Sequence, residues 1–568
     1  MNRRHTRPRY IRVGNRNVHL HVVGEGRLLV ALHASPGSGR ALLPFARSLD
    51  GWQVLVLDTP GCGRSDPLSV PEPAIDDYAR ATLATLDALG VDQCAVFGTH
   101  TGAKIALALA HLAPARIRGL VLDGLGISTP QERHDQLENY TPRHEIRTDG
   151  THLINAWHQV RDMALFWPWY AQDGRHRMKI TPPSAESIHE VVVDMLRNLD
   201  HYALTYHAAF RHDPLPRLAS VAVPTLIRAA PDDPLRAHLY RVGRAPDHVT
   251  IDARAGTDST AGLLEWLGQL SGIGELRSPE PTPSTTGSWR TYLGSGDTVV
   301  HATVSSPQAA RSRPLVALHA CPGDGDSLQP LAQCLAGERL VVRPDLPGLG
   351  GSSWPWSADV DPGVEELSGM LGRAVADFVG ERADIYGTHS GAAVALEWAQ
   401  AGIFPAANVV LDGLALGFAE SARAEWLSQH ASPLIPGAHG AHLLEAWHRV
   451  RDELLFWPWY RQEADTVRSG GPDPTPALIH ELAVQMLSAN LTYPLVCRAV
   501  FRYPAETRLQ SVAVPTILTA RAGDPLAVAL QRPIVASPLV RVRPDALRSG
   551  LESLVGLLRG LGEARDPC

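Results

Sequence analysis

One nineteen-residue stretch occurs twice. "HLINAWHQVRDMALFWPWY" at 152–170 returns as "HLLEAWHRVRDELLFWPWY" at 442–460, with fourteen of nineteen positions identical. Chance does not produce that. Other pairs follow in the same order. "LVALHASPG" (29–37) matches "LVALHACPG" (315–323), and "LDTPGCGRS" (57–65) matches "PDLPGLGGS" (344–352). "LVLDGLG" (120–126) matches "VVLDGLA" (409–415), and "SVAVPTLIRAAPDDPL" (220–235) matches "SVAVPTILTARAGDPL" (511–526). The offset between partners drifts only from about 286 to 291 residues. Solenoid units repeat at roughly 20–50 residues, so this repeat is a whole domain in tandem. The 568 residues are enough for two. The expected division is 1–272, a linker at 273–290, and 291–568. The Pro- and Ser-rich "LRSPEPTPSTTGSW" (276–289) has the composition of a solvated connection.

Within each copy, short β-branched runs alternate with helical stretches. "RLLVALHA", "WQVLVLDTP", "DQCAVFGTH", "RGLVLDG" and "VPTLIRAA" read as buried strands. "YARATLATLDALG" and "GAKIALALAHLA" read as helices between them. Such alternation predicts an α/β fold with a mostly parallel, doubly wound sheet. Ligands of such sheets sit at the carboxyl ends of the strands. Several polar residues of interest fall there.

Composition narrows the function. Net charge is −7 and no long basic run occurs, so no nucleic-acid partner is expected. The six cysteines form no CxxC pair and no zinc spacing. No run of 18 apolar residues suggests a membrane span. The basic N-terminus lacks the apolar core of a secretory signal. The expectation is a cytoplasmic protein with a small-molecule substrate, no cofactor and no membrane partner.

Four motifs in fixed order, present twice, resemble the α/β-hydrolase superfamily. "LHASPG" is similar to that family's HGxPG loop after the third strand. "LDTPGCGRSDP" is similar to its D-x-P-G-x-G-x-S segment after the fourth. "FGTHTG" (97–102) and "YGTHSG" (386–391) stand where the family has G-x-S-x-G. "VPTLIRAAPDDP" is similar to the seventh-strand segment that ends on the triad acid. The resemblance spans roughly 10–270 and 290–562. It implies two tandem α/β-hydrolase-fold domains, each with a helical cap at about 127–215 and 416–505. It also implies hydrolase activity.

A serine triad needs a hydroxyl on a strained turn, a histidine to take its proton, and an acid to orient the histidine. The resemblance puts the acid at Asp233 and Asp524. The elbow centre is His100 or His389, not serine. The family's late histidine is missing: 251–267 reads "IDARAGTDSTAGLLEWL", with Thr257 or Asp258 near the expected place, and no histidine follows His480. The ordinary acyl-serine route is therefore closed in both halves. Two readings of the elbow histidine stand. It can act as general base, acid or nucleophile, since imidazole titrates near neutrality. Alternatively it is a relic that suits the turn.

If the elbow is catalytic, the acid partner is Asp233, or Asp123 at the end of the sixth strand. In the second copy it is Asp524 or Asp412. The oxyanion donors would be main-chain N–H groups of Thr101, with Ala34 or Ser35. The second set is Ser390, with Ala320 or Cys321. Ser35 and Cys321 are also weighed as substitute nucleophiles, against a small residue in a tight Pro-Gly turn. His33 and His319 are candidates for substrate contact or for holding the loop. A zinc or iron site from His33, His100 and Asp58 or Asp123 is chemically possible, but no spacing demands it, and none is expected.

In the cap, the rings of Phe166, Trp167, Trp169 and Tyr170 line a pocket or pack the cap onto the core. Trp157, Arg161, Trp167, Trp447, Arg451 and Trp457 are candidate substrate contacts. Arg161 with Asp162 would clamp a carboxylate or fix a helix. The leading expectation is hydrolysis of a small, partly apolar ester, lactone or related carbonyl compound. The alternatives are cofactor-free acid–base lyase or cyclase chemistry, or a non-catalytic ligand-binding protein. The two halves are expected to pack as a pseudo-dimer.

Overall fold

A computed structural model describes residues 6–252, 259–276, 286–296, 298–357, 360–417 and 420–563. Thr257 and Asp258, the candidates for the late-histidine position, lie outside these residues.

The first half builds one eight-stranded sheet. Its strands are β1 (Thr6–Val13), β2 (Arg16–Val23), β3 (Arg27–Leu32), β4 (Trp52–Leu57), β5 (Cys94–Thr99), β6 (Ile117–Asp123), β7 (Thr225–Arg228) and β8 (Val249–Asp252). They lie in the order β1-β2-β4-β3-β5-β6-β7-β8. The β1–β2 hairpin is antiparallel, β2 pairs antiparallel with β4, and β3 to β8 pair in parallel. The runs Leu28–Leu32 and Cys94–Phe97 are buried at every position. Central parallel strands covered on both faces read as such unbroken apolar runs. Two apolar clusters, one around Leu28, Val30 and Leu32 and one around Leu29 and Ala31, occupy opposite faces of β3.

The second half repeats the plan. Its strands are β9 (Gly287–Ser295), β10 (Thr298–Ser306), β11 (Leu315–Leu318), β12 (Val341–Pro344), β13 (Ala383–Thr388), β14 (Ala406–Asp412), β15 (Thr516–Thr519) and β16 (Val540–Val542). Read from β9, the order is β9-β10-β12-β11-β13-β14-β15-β16. This is the α/β-hydrolase fold, present as two mostly parallel sheets with helices.

Between β6 and β7 stand the helices Pro130–Asn139, Thr151–Met163, Ala185–Arg197 and Tyr202–Arg211. The corresponding insertion between β14 and β15 holds Glu420–His430, Ala441–Leu455, Pro476–Ser488 and Tyr493–Arg502.

The expected linker is too long at both ends. Ile273 and Leu276 pack against the first core, and the Gly274 N–H donates to Gln93 while its carbonyl accepts from Leu28. At the other end, β9 already begins at Gly287. Apolar residues at the edges of the Pro-Ser-rich stretch, Ile273 before it, Leu276 at its start and the buried Trp289 at its end, draw these segments into the folded halves. Residues 277–285 lie outside the described part. Compact units also differ from a single cut. The described residues within 1–145, 151–283 and 437–440 form one, and those within 146–150, 284–436 and 441–568 form the other.

Candidate functional site

The elbow is set by its backbone. His100 connects β5 to the helix Thr101–Leu112 with φ 51° and ψ −109°. His389 connects β13 to Ser390–Ala401 with φ 51° and ψ −108°. Among the described residues, these two are the only non-glycine residues with positive φ. Side chains rarely adopt that region, and holding one there costs about 1–3 kcal/mol. The flanking glycines explain the spacing. A Cβ on Gly98 would lie 2.3 Å from the Gly102 carbonyl oxygen, and one on Gly102 would lie 2.2 Å from that of Leu32. Gly387 and Gly391 meet the same limits, at 2.3 and 2.4 Å. So the helix can start hard against the sheet only if both positions lack a side chain.

This turn points the imidazole at the seventh-strand acid. His100 Nε2 lies 2.8 Å from Asp233 Oδ2, and His389 Nε2 lies 3.0 Å from Asp524 Oδ2. Each carboxylate is fixed by its other oxygen. Asp233 Oδ1 accepts the Leu235 N–H at 2.7 Å, and Asp524 Oδ1 accepts that of Leu526 at 2.8 Å. Burial works against a charged imidazole. The bond and charge of Asp233, with Asp123 behind, outweigh it, so the His100 pKa is raised above 6.5. His389 is raised likewise by Asp524 and Asp412 against burial and Arg521. Burial raises the two acids, but the histidines and main-chain donors bring both below the usual carboxylate value.

Asp123 and Asp412, the alternative acids, do not bond to the elbow rings. Asp123 pairs with Arg228 at 3.7 Å. Asp412 is fully buried and accepts from Tyr386 Oη at 2.6 Å and Arg521 Nε at 2.9 Å. Both side chains are turned to arginines of β7 or the loop beyond β15, which leaves the imidazole to the later acid.

The two rings differ at their other nitrogen. His389 Nδ1 lies 2.9 Å from the Thr388 hydroxyl. Among the described residues, Nδ1 of His100 has no hydrogen-bond partner. The loops opposite also differ. Ser35 Oγ donates to Thr205 Oγ1 at 2.9 Å, and Tyr206 Oη donates to the Ser35 carbonyl at 2.7 Å. Ser35 therefore bonds to a helix hydroxyl, not to a base. Cys321 Sγ lies 3.5 Å from Cys497 Sγ, and the Cys321 N–H donates to Ser390 Oγ at 3.2 Å. That N–H is thus occupied and is not an oxyanion donor in this arrangement. Thr101 and Ser390 open their helices, where N–H groups lack intrahelical acceptors. Ala34 and Ala320 lend their carbonyls to the neighbouring histidine rings.

Several candidate contacts are structural. His33 and His319 are 2% and 0% exposed. His33 Nδ1 bonds the Ala34 carbonyl, and its Nε2 accepts the Thr59 N–H at 3.0 Å. His319 does the same with Ala320 and Leu346. Both rings tie two loops together and have no nitrogen left for substrate or metal. Asp58 is held by His19 at 2.8 Å, which removes it from the imagined metal set. Trp157 and Trp447 are buried completely, as large apolar residues on the inner face of a helix. Arg161 and Arg451 sit half-exposed beside their chain neighbours Asp162 and Asp452, at 3.6 and 3.8 Å. Trp167 packs edge-on to Tyr140.

In the second half, a cavity of about 280 Å³ opens over the elbow. His389, Ser390, Ala320, Cys321, Asp524 and Trp457 line it. So do Glu453 and Arg468, which the motif reading missed. One signal could have found them. Inside the nineteen-residue repeat, Glu453 stands where the first copy has Met163. Methionine in one copy marks a position that faces apolar surroundings, and an acid there is not an ordinary surface charge.

Residues 27–237 match the family model described as alpha/beta hydrolase fold. A 2-hydroxy-6-oxononadienedioate/2-hydroxy-6-oxononatrienedioate hydrolase of Klebsiella pneumoniae is 27% identical over 227 residues, covering 38% of this chain and 74% of the relative. A proline iminopeptidase of Neisseria gonorrhoeae is 32% identical over 112 residues, 19% of this chain and 36% of the relative. The crystal structure of epoxide hydrolase A from Mycobacterium thermoresistibile aligns with 47% of this chain and 100% of its own, at 16% identity and a TM-score of 0.38.

Proposed function

We propose, for this enzyme of the α/β-hydrolase superfamily, that the elbow histidine is a general base that drives water onto a small, partly apolar ester, lactone or related carbonyl compound. The observation that carries this reading is the 2.8 Å bond from His100 Nε2 to Asp233 on a strained elbow. A serine triad has a nucleophile, a base and an orienting acid. Here the base has moved onto the nucleophile's turn and meets the acid directly. Two of the three functions survive, and water takes the third.

The carboxylate accepts Nε2–H, so the lone pair is at Nδ1. In the first half that nitrogen is open to a water molecule. The base takes the water proton, the water oxygen adds to the carbonyl carbon, and charge collects on the carbonyl oxygen. The Thr101 N–H at the helix start stabilises it. Hydrolase relatives that act on an oxo-dioate fit a carbonyl substrate. The same base removing a C–H proton would give lyase or cyclase chemistry, a reading favoured by the absent serine.

The test is turnover of a panel of aryl esters, thioesters and lactones by wild type, His100→Ala, His389→Ala and the double variant, with folding checked by circular dichroism. The expected result is at least a hundredfold loss in the double variant, as general-base catalysis contributes about 10²–10⁴-fold. Wild-type turnover that survives both substitutions would overturn the reading.

A further inference from the structure

The second half has a group that the first half lacks, and it faces the same elbow. Glu453 lies on the inserted helix Ala441–Leu455 and lines the cavity above His389. Among the described residues, no hydrogen bond reaches its carboxylate. A carboxyl on the wall of a cavity also lined by Trp457, Phe501, Leu454 and Val450, without a partner, is costly to keep. Its main chain is anchored, however: Arg468 Nη1 donates to the Glu453 carbonyl at 2.7 Å. The position is thus held while the side chain is left free.

The first half shows what a purely structural solution looks like. There Met163 occupies the equivalent place. Met178 stands where Arg468 does, each donating its N–H to the matching residue, Leu165 or Leu455. The Glu–Arg pair replaces a Met–Met pair, so the two changes belong together. The second half has also lost an open base, because Thr388 engages His389 Nδ1. The charged and titratable groups that share the cavity with Glu453 are Arg468, His389, Asp524, His430, Cys321 and Cys497. Asp524 is committed to His389. A cationic ligand would meet Arg468 and His389, which disfavours cation binding as the role of Glu453. Burial raises the Glu453 carboxyl pKa, and Arg468 and His389 pull it back only in part.

We propose that Glu453 is the proton-transfer residue of the second site, acting across the cavity from His389. The proposal rests on the hydrolytic reading above. As a carboxylate, Glu453 takes a proton from water as the water oxygen bonds to the carbonyl carbon, and the C=O π pair moves onto oxygen. The imidazolium of His389, its two nitrogens held by Asp524 and Thr388, favours that oxyanion through its charge. On collapse, the bond to the leaving oxygen breaks, and that oxygen takes the proton back from Glu453. Ester and water become acid and alcohol, and the carboxylate is restored.

The experiment uses the full chain in a His100→Ala background, so that only the second site reports. The probes are phenyl acetate and a phenyl lactone. Glu453→Gln is expected to lower kcat/KM at least a hundredfold and to abolish the acid limb of its pH profile, with KM little changed. Glu453→Asp is expected to retain part of the rate and shift that limb. If Glu453→Gln does not fold by circular dichroism, Glu453→Met, the residue the first half uses, takes its place. Turnover within twofold of the parent, or an unchanged pH profile, overturns the proposal. So does a His100→Ala parent with no turnover while wild type is active, an outcome that leaves the first-site reading standing. An inactive wild type defeats the hydrolytic reading itself.

Discussion

The two elbows superimpose in angle, glycine spacing and acid partner, yet the walls around them differ in kind. The first copy has Met163 and Met178 at the matching positions, and a loop serine bonded to helix hydroxyls. The second has Glu453, Arg468 and a pair of thiols. What stays the same is dictated by main chain: a positive φ, two glycines without room for a Cβ, and an acid capped by its own backbone. What differs comes from side chains on the inserted helices and the loops that meet them. A dyad fixed by backbone tolerates change in its surroundings, so two copies can retain one device and diverge in use.

The largest effect should separate the bonded acids from their neighbours. Asp233→Asn should cost the first site about a hundredfold or more, since the amide no longer fixes the tautomer. Asp123→Asn should cost far less. The pH–rate curve sharpens this. A base whose pKa is raised above 6.5 works only when neutral, so the rate rises with pH through that raised value. In Asp233→Asn the limb should move to lower pH. Equal losses for Asp233→Asn and Asp123→Asn would sink the assignment of the dyad.

Next comes a glycine that touches both members. A Cβ on Gly124 would lie 2.4 Å from His100 Cδ2 and 2.7 Å from Asp233 Oδ2, whereas one on Gly413 would lie 2.9 Å from Asp524 Oδ2 and 3.1 Å from His389 Nε2. Gly124→Ala should therefore disable its site about tenfold more than Gly413→Ala disables the other. Single-site turnover in the two elbow-alanine backgrounds measures it, and equal effects would break the contrast.

A smaller difference lies in stability. Lys104, one turn into the elbow helix, is buried and donates to the carbonyls of Ala209 and His212. Ala393 follows the second elbow at the same distance. Burial first, then Arg133, lowers the Lys104 pKa to about 7. The unfolded chain binds this proton up to its ordinary pKa, so the folded form gains stability as pH rises from about 7 towards 10. Urea unfolding should show a slope of about 1 kcal/mol per pH unit. Lys104→Met should flatten it, and an unchanged slope would assign it elsewhere.

The smallest effect concerns strain. His100→Gly should stabilise the fold by about 1 kcal/mol in thermal unfolding, and a fall in stability would show that the ring itself supports the turn.

Much of this molecule was legible in its sequence. The repeat, the strand runs and the elbow spacing each follow from local rules of periodicity and glycine placement. The choice between Asp233 and Asp123 was not, because Asp123 ends β6 and Asp233 follows β7, both beside the elbow, and what separates them is Arg228 of β7, which pairs with Asp123. His33 and Trp157 had the right chemistry for a site but were buried by packing that no motif records. Glu453 was hidden for the opposite reason: an acid on an amphipathic helix looks solvated, and only the fold shows it half-buried on the wall of a cavity.

The strained turn also bears on how such a chain can change over time. At positions 100 and 389 the backbone alone would choose glycine. Selection for a stable fold would erode the imidazole from both places. Two copies that have exchanged serine for cysteine and methionine for glutamate nevertheless hold the same ring at the same angle. Persistence against the grain of the backbone is what a requirement for the ring itself would leave behind.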